Sequence, residues 1–185
     1  MDRGGITAAW VGLGMAVTIG VSFLLVIPIE PVYWYLALPA GLLIGYYANA
    51  RSLRAGGPWG RILANALFAG LVTGITYAVL LVGVKALFFS MDSGYRDASA
   101  GGPLTCTTGA DCVYQRYLAA GQGPAFEAAG ITDVATVSTF YWSQQIGSAG
   151  MTFLLSVGGA IGGGVMFGFA NRHKPEDAGA VTGST

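Results

Sequence analysis

Residues 62–84 read ILANALFAGLVTGITYAVLLVGV, a run without a single charged side chain. At 1.5 Å of rise per residue, about 20 apolar residues cross the ~30 Å hydrocarbon layer of a bilayer. The stretch is therefore predicted to be a membrane-spanning helix, continuing to about residue 88, and the rest of the chain is placed from it. Three more stretches lack charge in the same way, at residues 6–29, 31–50 and 134–171. The last is too long for one crossing. Its first part carries Thr136, Ser138, Thr139, Ser143, Gln144 and Gln145, which are expected outside the lipid, leaving residues 146–171 as the span. The expected fold class is an all-α membrane protein. It is a bundle of about four transmembrane helices (6–29, 32–50, 62–88 and 146–171) with a long outer loop over 90–145 that contains short helices. Residues 172–185, rich in Pro, Glu, Asp, Gly and Ser, read as a disordered tail.

Composition agrees with that solvent. Of 185 residues, 54% are hydrophobic and 10% charged, against roughly 25% charged in soluble domains. Nine basic and nine acidic side chains cancel, so the overall charge offers no reason to expect a nucleic-acid or anionic-surface partner. The glycines sit among Leu, Val, Ile and Phe rather than in polar tracts, which assigns them to packed helices.

Arg3 precedes the first apolar run, as in a signal peptide, but the run is about twice the usual length and ends in Pro28-Ile29-Glu30-Pro31. That ending offers no small-residue cleavage site, so a retained anchor is expected. The same segment breaks the helix and suits a tight turn, so the first two spans are predicted to form an antiparallel hairpin.

Orientation follows from Lys and Arg. With the amino terminus inside, Arg3, Arg51, Arg54, Arg61, Arg172 and Lys174 fall on one side and Lys85, Arg96 and Arg116 on the other. An excess of basic residues marks the cytoplasmic side. A cell inner (cytoplasmic) membrane is therefore expected, crossed several times, with both termini cytoplasmic and the large loop outside. Trp10 and Trp59 fall near the inner interface and Trp34 and Trp142 near the outer one, where an amphipathic indole is best satisfied.

Small residues four apart let helix backbones approach closely in lipid. Gly12, Ala16 and Gly20 offer this spacing in the first span, Gly41 and Gly45 in the second, and Ala66, Gly70 and Gly74 in the third. In the fourth, Gly158 pairs with Gly162, Gly159 with Gly163 and Gly164 with Gly168. Several smooth faces on one helix predict the centre of the bundle, or a face that docks a second copy or another subunit. A conduction path lined by glycine is weaker, because no ring of polar side chains accompanies it.

The outer loop holds the two cysteines, Cys106 and Cys112. An even pair outside a cytoplasmic membrane is expected to form a disulfide, with Gly109 and Asp111 supplying turn chemistry between them. Residues 113–120 and 124–129 read as short helices, and Thr132 with Asp133 can cap the helix leading into the fourth span.

Catalytic chemistry finds little support. A disulfide-forming enzyme needs a reactive pair and a relay pair, and this chain has two cysteines in all. His173 is the one histidine, placed where a basic group caps a helix carboxyl end. Asp92, Asp97 and Asp111 match no calcium loop, and no nucleotide-binding signature is present. No catalytic, cofactor-binding or metal-binding residue is assigned. Lys85, about one turn from the outer end of its span, can snorkel or form an inter-helix ion pair with Glu30. Asn49, Asn65, Thr73, Thr76 and Tyr77 serve as hydrogen-bonding glue or mark a polar cavity. The expected function is a non-enzymatic structural or accessory subunit, held in the lipid bilayer and packing against a larger membrane complex or against itself. The alternative is a small transporter or channel component active as an oligomer.

Overall fold

The computed structural model of the chain describes residues 3–26, 30–52, 58–91, 106 and 108–171. Among these the structure is helical, with no strand. In chain order the helices are α1 (Arg3–Val26), α2 (Glu30–Ala50), α3 (Trp59–Met91), α4 (Ala110–Ala119), α5 (Gly123–Ala128) and α6 (Val134–Asn171). Three of them, α1, α3 and α6, are long and apolar enough to cross a membrane. The tail expected over 172–185 lies outside the described residues.

The long helices alternate in direction. Gly4 at the start of α1 abuts Ala48 to Ser52 at the end of α2, which makes those two antiparallel. Gly5 faces Asn65 and Gly12 faces Thr73, so α1 and α3 run the same way. Gly41 and Gly45 meet Ser156 and Ala160, so α2 and α6 run parallel, while Gly168 against Trp59 and Gly74 against Phe153 make α6 antiparallel to α3. One end of the bundle therefore gathers the start of α1, the end of α2, the start of α3 and the end of α6. Arg3, Arg51 and Arg61 are all at that end.

Helix α6 packs most extensively on α2 and next on α3, and α1 packs on α3 and α2 from the other side. The glycine-rich helix is thus not the axis of the bundle. Helices α2 and α3 each touch all three other long helices, whereas α1 and α6 share no extensive face.

Two elements differ in detail from the sequence reading. Helix α6 is continuous over 38 residues, with no break at residue 146. No Pro interrupts its polar first third, and Thr136 and Ser143 there bond back to carbonyls three residues earlier. The Ser143 hydroxyl, for example, donates to the Phe140 carbonyl at 2.8 Å. At 1.5 Å per residue the helix is about 57 Å long, so it can reach well beyond a ~30 Å hydrocarbon layer. Helix α2, expected as a span over 32–50, begins at Glu30, inside the segment expected to break the helix, and is not among the helices long and apolar enough to cross a membrane; its Pro39 cannot donate to the Tyr35 carbonyl.

The end opposite the arginines carries α4 and α5. Phe126 is buried there with Ile131 and Val137, packed by Val113, Tyr114, Tyr117 and Phe140. Both short helices end on the same device. Gly121 (φ 76°) and Gly130 (φ 70°) adopt the left-handed region that favours glycine. After α4 the Gln122 amide donates to the Tyr117 carbonyl and the Gly121 amide to Leu118. After α5, Ile131 donates to Phe126 and Gly130 to Glu127. This is the paired C-terminal closure in which the second residue past the cap also packs on the last turn, as Ile131 does on Phe126. The start of α6 is closed by Asp133, whose carboxylate accepts the Thr136 amide at 2.7 Å, while the Thr136 hydroxyl bonds back to Asp133.

Candidate functional site

The glycines singled out from the sequence separate into two groups. Gly41, Gly45, Gly159 and Gly163 form a reciprocal seam between α2 and α6. A Cβ on Gly41 would strike the Ser156 carbonyl, and on Gly45 the Ala160 carbonyl. A Cβ on Gly159 would strike the Leu38 carbonyl, and on Gly163 the Leu42 carbonyl. Gly70 and Gly74 complete the seam from α3, against the Ala160 methyl and against Phe153 and Ser156. The small groups at Ser156 and Ala160 are thus where α2, α3 and α6 meet. By contrast, Gly158 and Gly162, together with Gly147 and Gly150, have nothing within 4 Å of an added Cβ. Gly158 belongs to an exposed stripe of α6 with Met151, Leu154 and Ile161.

Polar side chains inside the bundle are few. Asn49 is fully buried and its amide donates to the Gly45 carbonyl on its own helix and to the Ile62 carbonyl on α3, both at 3.1 Å. It is the inter-helix tie among the five polar residues named from the sequence. Thr73 and Thr76 bond back to the Ala69 and Val72 carbonyls of α3. Neither amide atom of Asn65, nor the Tyr77 hydroxyl, has a hydrogen-bond partner. The sequence reading missed a second row. Gln145, Ser148, Thr152 and Ser156 are all buried on one face of α6, and the Gln145 carbonyl oxygen and Ser148 hydroxyl are also unpartnered. Their spacing of three, four and four residues is that of one helix face. That spacing was the available signal, obscured by assigning Gln145 to the solvated part.

A cavity of about 10 Å³ lies where all four long helices approach one another, lined by Met15, Ala37, Thr73, Tyr77 and Ser156 among others. Its size is at the lower bound for a single water molecule.

Lys85 is part-buried near the loop end of α3, where its carbonyl accepts the Tyr141 hydroxyl at 3.4 Å. Glu30 opens α2, but the ion pair expected between Glu30 and Lys85 lies outside the described side chains. Beside Lys85, Phe89 stacks on Tyr141 at 5.3 Å and meets Trp142 at 5.2 Å, pinning the end of α3 to the polar part of α6. Cys106 and Cys112 are joined as a disulfide with their Cα atoms 5.0 Å apart, and Cys112 is buried at the start of α4. Gly109 (φ 95°) turns the chain between them. The titration of Asp133 at this end is displaced downward. The Thr136 amide, then the Thr136 hydroxyl, hold its carboxylate below the ordinary 3.8. Among the described residues, no three His, Cys, Asp or Glu side chains come together.

Comparison with protein-family models, with curated proteins and with solved structures gives no match. What the chain shows by itself is three apolar helices in one bundle, compatible with a multi-pass membrane protein, and a disulfide-linked pair of cysteines.

Proposed function

We propose that this chain is a non-enzymatic structural or accessory subunit of a cell inner membrane. In this reading α2 makes a fourth crossing, both termini are cytoplasmic and the loop with α4 and α5 is outside. Packing of α2 between α1, α3 and α6 supports its crossing with them. The collection of Arg3, Arg51 and Arg61 at one end supports the orientation, because basic residues mark the cytoplasmic side. One observation carries the accessory role. The Gly41 and Gly45 face of α2 and the Gly70 and Gly74 face of α3 are consumed within the bundle, whereas the Gly158 and Gly162 face of α6 stays open. In lipid, glycine gains nothing over leucine except closer approach of another helix.

The test is purification from the native membrane in mild detergent, followed by mass spectrometry of what remains bound. The expected result is a stoichiometric set of larger membrane subunits with the wild type and their loss with Gly158→Leu/Gly162→Leu, while the variant still inserts. Equal recovery with the variant would remove this face as the docking surface. Recovery of the chain alone, as a stable oligomer that passes solute in liposomes, would favour the transporter or channel reading.

A further inference from the structure

The net charge of zero conceals how the positive groups are arranged. Arg3 begins α1, Arg51 follows α2 and Arg61 lies in the first turn of α3. Packing brings their backbones together. Gly4, next to Arg3, abuts the Arg51 and Ser52 backbone. Asn49, two residues before Arg51, bonds to the carbonyl of Ile62, next to Arg61. All three arginines are exposed, and among the described residues none has a carboxylate partner.

We propose that this end of the bundle binds the phosphate headgroup of anionic phospholipids, with Arg3, Arg51 and Arg61 as donors. The proposal rests on the reading of the long helices as membrane spans. Height along the bundle suits it. Ile6 and Leu63 are exposed apolar side chains within one turn of Arg3 and Arg61, so the guanidinium groups sit where hydrocarbon gives way to headgroups. Trp10, 71% exposed, lies about two helical turns further along α1, on the hydrocarbon side of the arginines. Arg51 lies over the Tyr47 ring, 5.4 Å from its centroid. A guanidinium in a cation–π contact still carries several N–H donors for an anionic acceptor. A planar fork of such donors matches phosphate geometry better than an ammonium does.

The experiment incorporates the full chain into nanodiscs of equal phosphatidylglycerol and phosphatidylcholine, extracts it gently and counts retained lipids by native mass spectrometry. The expected result is retention of phosphatidylglycerol over phosphatidylcholine, falling up to about five-fold for each arginine changed to Gln. The triple variant R3Q/R51Q/R61Q loses the preference, and Lys85→Gln, at the opposite end, keeps it. Incorporation without preference, or equal preference in the triple variant, overturns the proposal. Displacement of the lipid by millimolar inorganic phosphate also overturns it, in favour of a soluble anion. Failure to enter nanodiscs overturns the membrane reading and the proposal with it.

Discussion

Alanine at two neighbouring pairs of glycines in α6 is expected to act with opposite signs. At Gly163 the new Cβ would lie 2.8 Å from the Tyr46 amide nitrogen and 2.9 Å from the Leu42 carbonyl carbon, where ordinary contact begins at 3.4 Å. The helices must separate by at least 3.4 − 2.8 = 0.6 Å, and more to clear the Leu42 carbonyl oxygen. At Gly159 the Leu42 nitrogen stands at 3.0 Å. Every one of these neighbours is backbone, so no side chain can swing away. Overpacking costs about 1–3 kcal/mol per site, and rigid neighbours place both sites near the upper end. A gain of about 0.5–1 kcal/mol per site from replacing helical glycine offsets part of this. The net loss for Gly159→Ala/Gly163→Ala is about 4 kcal/mol, which lowers the melting temperature by roughly 8–16 °C in a chain of this size. Gly158→Ala/Gly162→Ala meets nothing within 4 Å, keeps the helix gain and raises the melting temperature by roughly 2–8 °C. Thermal unfolding in mild detergent, followed by far-ultraviolet circular dichroism, reads both. A Gly159/Gly163 variant melting with the wild type, or a Gly158/Gly162 variant melting below it, would refute the assignment of the two faces.

Two further outcomes follow from the loop end. Because the native Asp133 carboxylate titrates below 3.8, its contribution to the start of α6 is complete above that value. It is lost as pH falls through the depressed native value. The Thr136 amide resonance should titrate with a midpoint under 3.8 in the wild type and lose the transition in Asp133→Ala, and a midpoint above 3.8 would contradict the cap. Changing both Cys106 and Cys112 to Ser removes closure of a short ring, about 2 kcal/mol in the loop-entropy account. Proteolysis should then accelerate around α4 while the melting of the long helices changes little. A collapse of the whole bundle would show that the disulfide supports more than the loop.

The α-helical class, the three apolar spans and the gathering of Arg3, Arg51 and Arg61 at the end away from the loop were legible because each depends on local sequence. Charge-free length decides whether a helix can cross lipid, and alternation of long helices then sorts their ends. The repeated Ala-Ala-Gly at 119–121 and 128–130 likewise marks two helix ends by itself. Tertiary structure decided what local pattern leaves degenerate. Gly158/Gly162 and Gly159/Gly163 have identical spacing, one residue apart, yet a step of about 100° around the helix turns one pair outward and buries the other against α2. Asn49 and Asn65 are equally polar and equally buried, but only Asn49 is set opposite a carbonyl, because the register of α2 against α3 brings Ile62 within reach. Whether the polar row from Gln145 to Ser156 faced water or protein depended on the same thing. The sequence by itself determined which segments are helices and which end is positive; the packing of α6 against α2 and α3 alone decided which of its faces is left for anything else.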